Sequence, residues 1–255
     1  MTTTATTLFS LEGRTALVTG ASRGIGQAIA LGLASAGADL ILVGRGESLA
    51  GTAEDVAALS REATVVDADL SDLDGLRDRI AALATTTEID VLVNCAGVIR
   101  RGAFLDTDDA LWREVMAVNL DAPRLLSSWV AAGMLERGRG KIVNIASLLS
   151  FQGGKDVASY AASKHALVGL TRALSNEWAS GGVQVNAIAP GYIATDNTDA
   201  LRRDPVREAE ILARIPTGRW GRPLDIVGAA VFLAAPASDY ITGHTLVVDG
   251  GWMSR

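Results

Sequence analysis

The chain has 255 residues, 49% of them apolar and 20% charged, which is ample for a large buried core and excludes a disordered chain. With 23 basic against 29 acidic residues the net charge is −6 and no basic block stands out, which disfavours nucleic acid and membrane as partners. One cysteine, Cys95, excludes an internal disulfide and a cysteine-held zinc, so no metal is expected and a cytoplasmic location fits.

The opening Met-Thr-Thr-Thr-Ala-Thr-Thr has no cation and no apolar run, and does not read as a signal peptide. Thr15–Val18 reads as the first buried strand. Thr19-Gly20-Ala21-Ser22-Arg23-Gly24-Ile25-Gly26 follows and leads into a helix over Ile25–Ala36. Glycines between a strand and a helix let backbone N–H groups approach a pyrophosphate, and the helix dipole adds to the attraction. The second strand, Leu40–Val43, ends in Gly44-Arg45, where a dinucleotide fold reads the adenosine ribose. A carboxylate there would select NAD(H). Arg45 instead suits a 2′-phosphate, with Arg23 as a second cation, so NADP(H) is favoured and NAD(H) is the alternative.

A helix over Leu49–Leu59, a strand at Thr64–Val66, a helix over Leu73–Leu83 and a strand at Val91–Val93 come next. One long helix is expected over Trp112–Met134, with Asn119 near its middle, where a polar amide could open a helical bond and anchor a water. The strand Ile142–Ile145 is followed by Ser147, whose hydroxyl would point into the ligand crevice. The helix Tyr160–Trp178 opens on Tyr-Ala-Ala-Ser-Lys, placing Tyr160 and Lys164 on one face. A nearby ammonium, with an oxidised nicotinamide, would lower the phenol's pKa and fit it for moving a proton to or from an alcohol oxygen.

Val183–Ile188 reads as the sixth strand. Residues 191–223 are long, polar and weakly periodic, as expected of a lid, the plainer reading being a surface excursion with a short helix. A core helix over Leu224–Ala234 and a strand at Leu246–Val248 close the chain. Strands alternating with helices predict one doubly wound Rossmann domain over residues 1–255, α/β in class, with a seven-stranded parallel sheet and helices on both faces.

Taken together, these residues strongly resemble the single-domain short-chain dehydrogenase/reductase family, from Arg14 to Trp252. The resemblance implies a catalytic tetrad of Asn119, Ser147, Tyr160 and Lys164. It implies cofactor contacts from Gly20, Ser22, Arg23, Gly24, Ile25, Gly26, Arg45, Asp69, Leu70, Asn94, Ala96, Gly97, Tyr160, Lys164, Pro190, Gly191, Ile193 and Thr195. Cys95 stands where the family usually has asparagine, a position tied to the sheet centre. Blocks such as Val98-Ile99-Arg100-Arg101, Ser150-Phe151-Gln152-Gly153-Gly154 and Arg219-Trp220-Gly221 look like branches that oxidise six-carbon sugar acids. That implies a substrate site built from Arg100, Arg101, Ser147, Gln152, Tyr160, Arg219 and Trp220, with Arg101 or Arg219 on the carboxylate and Gln152 on a hydroxyl. Pairing of these arginines with acids of a neighbouring subunit is the competing reading. The family also implies a homotetramer, to which Trp252 could contribute. Carrier-protein reductases, and a regulator using the fold as a redox sensor, share much of the pattern. His165 reads as a packing or surface residue and His244 as a candidate for the substrate pocket or a subunit contact, neither of them as catalytic.

Overall fold

A computed structural model describes residues 4–84 and 87–254. The reading of the first residues as no signal peptide falls partly outside them. All seven expected strands form: β1 (Thr15–Thr19), β2 (Asp39–Gly44), β3 (Ala63–Asp67), β4 (Val91–Asn94), β5 (Gly140–Ile145), β6 (Val183–Pro190) and β7 (Thr245–Val248). They join one parallel sheet in the order 3-2-1-4-5-6-7. This is a Rossmann-like α/β fold.

Alternation within the central strands sends side chains to two cores. On one face Ala16, Val18, Leu40, Leu42, Val91 and Val93 pack with Ile29 and Leu33 of α1 (Gly24–Ser35). On the other, Leu17, Ile41, Leu92 and Ile142 meet Leu76 and Ile80, from the helix over Leu73–Ala84. Each fully buried Leu or Ile contributes about 1.5–3 kcal/mol. The edge strand β3 departs from expectation, since Val65 is exposed: the strand has a neighbour on one side only.

The helix expected over Trp112–Met134 begins earlier and is interrupted. Asp108 accepts a hydrogen bond from the Leu111 N–H, starting a helix over Asp109–Met116. A π-turn follows over Ala117–Asp121, and helical geometry resumes at Ala122–Glu136. Residues 191–223 hold two helices, Asp199–Arg203 and Pro205–Arg214, where the plainer reading had one. The second is amphipathic and buries Ile211.

The strand order reverses between β1 and β4. Their carboxyl ends therefore open a crevice with no crossover across it, the place where such sheets bind ligands.

Candidate active site

The glycine turn forms one wall of the crevice. Gly20 (φ +68°) and Gly24 (φ +58°) adopt left-handed backbone that side chains disfavour. A Cβ at Gly20 would lie 2.8 Å from the Ala96 Cα, and one at Gly26 would collide with the Gly20 carbonyl. Arg23 begins α1 without a side-chain cap, so no side chain of the cap residue blocks the first-turn N–H groups. Thr19 Oγ1 accepts from both Cys95 N and Ala96 N at 3.0 Å and locks this turn to the one after β4. The cradle has the shape and open N–H groups that a dinucleotide pyrophosphate needs. Gly26→Ala should cost about 1–3 kcal/mol of stability through overpacking and abolish cofactor binding, as read by thermal unfolding and by titrating cofactor fluorescence.

Arg45 is exposed at the end of β2, and its charge helps hold the Asp69 carboxyl below the usual carboxylate range, after hydrogen bonds from Ser71. Ser22 and Ile25 sit half-buried at the turn, with Ile25 packed on the core. Two expected contacts face inward. Leu70 is buried in the second core. The Asn94 amide donates to Asn144 Oδ1 at 2.8 Å and to Ser127 Oγ at 3.3 Å inside the sheet layer. Their side chains are engaged inside the molecule, Leu70 in packing and Asn94 in this amide network.

The four residues of the expected tetrad come together at the ends of β4, β5 and the helix Ala158–Trp178. Asn119 lies in the π-turn, fully buried, as the reading of an opened helical bond expected. Its Oδ1 accepts from Val98 N at 2.8 Å, and its Nδ2 donates to Val98 O at 2.9 Å and Ser163 Oγ at 3.1 Å. The side chain thus clasps the loop after Gly97. Ser147 is an N-cap, accepting from Leu149 N at 3.1 Å, and also hydrogen-bonds Tyr160. Lys164 Nζ donates to Ile145 O at 2.7 Å and lies 5.7 Å from the centre of the Tyr160 ring.

The electrostatics differ from the sequence expectation. Burial raises the Tyr160 phenol above its ordinary pKa, and what pulls it back is the Ser147 hydrogen bond and the Arg101 charge. Burial brings Lys164 down to about 8. In the chain alone, burial outweighs the lowering expected of Tyr160 from Lys164 together with an oxidised nicotinamide. The Cys95 thiol is pushed up to about 12 by burial, which keeps it un-ionised near neutral pH.

Of the expected substrate arginines, two are engaged within the chain. Arg100 Nε lies 2.9 Å from Glu114 Oε2. Arg219 grips Asp225 with two bonds of 2.6 and 3.1 Å, which also holds the Asp225 carboxyl well below the usual range. Arg101 forms no ion pair among the described residues and acts on Tyr160. Gln152 Oε1 accepts from Trp252 Nε1 at 3.3 Å. Trp220 meets Tyr192 edge-on at 5.5 Å, and its indole N–H is buried without a partner.

Pro190 ends β6. A Cβ on Gly191 would lie 2.6 Å from the Asp249 Cα, so the turn hugs the strand beside it. Ile193 is buried and bridges to Gly221, and the Thr195 methyl faces Gly24. His165 is exposed, its Nδ1 near Ala161 O, and His244 is exposed before β7.

A family model for short-chain alcohol dehydrogenases, described as "Enoyl-(Acyl carrier protein) reductase", matches residues 20–253. The chain belongs to the short-chain dehydrogenase/reductase family. A relative from Bacillus subtilis (strain 168), named 2-dehydro-3-deoxy-D-gluconate 5-dehydrogenase, is 53% identical over 97% of both chains. A structure from Beutenbergia cavernae with bound NADP is 55% identical, has a TM-score of 0.95 and covers 97% of this chain and 100% of that one. A gluconate 5-dehydrogenase from Burkholderia cenocepacia J2315, solved with NADP and tartrate, is 39% identical, with a TM-score of 0.94 and coverage of 99% and 100%.

Sequence reasoning missed several features of this dehydrogenase site. Trp252 has ring partners within the chain. It is buried in its own chain, 4.7 Å from the Tyr192 ring and 4.1 Å from the Arg214 guanidinium. Tyr192 follows the Pro190-Gly191 turn, and that adjacency was the available signal. Arg214 carried none, because its partner lies far along the chain.

Proposed function

We propose that the chain is a 2-dehydro-3-deoxy-D-gluconate 5-dehydrogenase, an NAD(P)-dependent oxidoreductase working on a secondary hydroxyl of a six-carbon sugar acid. The observation that carries the substrate reading is Arg101: of the three candidate arginines, it alone lacks an acidic partner among the described residues, and its charge acts on Tyr160. A guanidinium with free donors suits a carboxylate. Gln152, oriented by Trp252, takes a hydroxyl through its amide N–H groups. Arg100, Arg219 and Trp220 shape the pocket around them.

When bound, the nicotinamide takes up or gives the hydride. Ser147 holds the substrate oxygen beside the phenol. Tyr160 accepts the alcohol's proton as the carbon loses hydride, or returns it to the oxygen in reverse. Lys164 supplies a buried cation next to that proton path, and Asn119 fixes the turn against which the ring rests. Gly20, Ser22, Arg23, Gly24, Ile25 and Gly26 cradle the pyrophosphate. Arg45 and Asp69 take the adenosine end, while Ala96, Gly97, Pro190, Gly191, Ile193 and Thr195 line the nicotinamide half.

The chain is read as one domain, with residues 191–223 as the lid that excludes water. Homotetramer formation is supported by family likeness and by exposed Phe104 and Leu105, which gain by burial between copies. No described helix is long and apolar enough to cross a membrane, and a cytoplasmic location agrees with the single free cysteine.

Gluconate 5-dehydrogenase is the second reading, favoured by Arg45 and its suitability for a 2′-phosphate. A carrier-protein reductase would want free cations at the entrance, and Arg100 and Arg219 are spent on acids. Initial rates with 2-dehydro-3-deoxy-D-gluconate and with gluconate, each with NAD and NADP, decide between these. The keto-deoxy acid should be the faster substrate. Faster turnover of gluconate with NADP would transfer the assignment, and silence with both would remove the sugar-acid reading.

A further inference from the structure

We propose that Asp196 tunes cofactor choice by occupying Arg23, the glycine-loop cation otherwise open to the 2′-phosphate of NADP. This rests on the reading that Arg45 marks the 2′-phosphate end.

Arg23 Nη1 lies 3.3 Å from Asp196 Oδ2, across the gap between the glycine loop and the start of the 191–223 segment. Arg23 has no other acidic partner among the described residues. Asp196 is held in place by its neighbours. The turn over Asp196–Thr198 is fixed by Thr195 N donating to Thr198 Oγ1 at 3.1 Å, and by that hydroxyl donating to Ile193 O at 2.7 Å. Thr195 itself packs over Gly24. The backbone that carries the carboxylate is therefore held beside the loop, while the arginine side chain is long and exposed.

Both groups are largely exposed, 71% and 72%, so their attraction is weak in water. A weak pair is one that a doubly charged phosphate can break. With NAD no such competitor exists, and the pair stays closed, bridging loop and lid. With NADP, Arg23 must leave Asp196, and the freed carboxylate then adds a like charge near the phosphate. Asp196 thus offsets part of what Arg45 contributes, keeping NAD usable by a chain that has no acid at the end of β2. NADP binding also releases the lid's attachment to the glycine loop.

The test is titration of NADPH and NADH fluorescence with the whole enzyme, for wild type, Asp196→Asn, Arg23→Gln and the double variant. Asp196→Asn should tighten NADPH by about three- to tenfold and change NADH by less than about twofold. With Arg23 already replaced, the Asp196 change should lose most of that effect. An equal change for both cofactors, or a full effect without Arg23, would overturn the proposal. Arg45→Ala in the same series separates the two readings. If it leaves the NADPH-to-NADH ratio untouched, the 2′-phosphate reading of Arg45 fails, while the cycle at Arg23 and Asp196 still decides whether that pair discriminates.

Discussion

Tyr160→Phe will lower turnover by about 10²–10⁴-fold and leave NAD(P)H binding within about twofold of wild type. The substitution removes one oxygen, the proposed acceptor of the alcohol proton, and keeps the ring. Stopped assays of sugar-acid oxidation read the first effect and fluorescence titration the second. Turnover within tenfold of wild type would remove Tyr160 from the proton path and favour a cofactor-sensing protein over an enzyme. The pH dependence follows from burial. With the phenol held above its ordinary range, the base form is scarce at neutral pH, so alcohol oxidation should climb with pH. Ketone reduction needs the protonated phenol and should stay level through neutrality, then fall in alkali.

Arg101→Met should raise KM for the sugar acid by about 10- to 100-fold, the loss expected of a charge-assisted bond to a carboxylate. An uncharged polyol of the same length should show little change in KM. Equal losses for both would mean that Arg101 packs and does not bind. The same variant should move the alkaline limb of the oxidation profile to still higher pH, because it removes a cation that favours the phenolate. Arg219→Met is the contrasting control. Arg219 already spends its donors on Asp225 and the Trp220 carbonyl, so its loss should act on the stability of residues 191–223 more than on acid selectivity.

Much of this molecule is legible in the chain order of its residues. Seven strands, the glycine turn and the Tyr160–Lys164 pair follow from periodicity and from local steric demand. A parallel strand buried on both faces must be apolar throughout, and a turn against a pyrophosphate must lack a Cβ. Asn119 was legible for the same kind of reason. A polar amide within an apolar helix needs partners, and opening the ladder at Ala117–Asp121 lets it reach both polar groups of Val98.

What the sequence by itself determined is therefore the fold, the glycine turn and the placing of Tyr160 and Lys164 on one helix face, because each is dictated by neighbours within a turn or two, or by the two-residue repeat of a strand. Only the tertiary structure decided which cations are free. Arg100, Arg101 and Arg219 look alike in a string of letters. Glu114 and Asp225 take two of them, and Asp196 reaches Arg23 from the far end of the chain. A long flexible cation finds its partner through space, and burial sets the pKa of Tyr160, Lys164 and Cys95 in the same way. Neither distance nor desolvation is written in the spacing of residues.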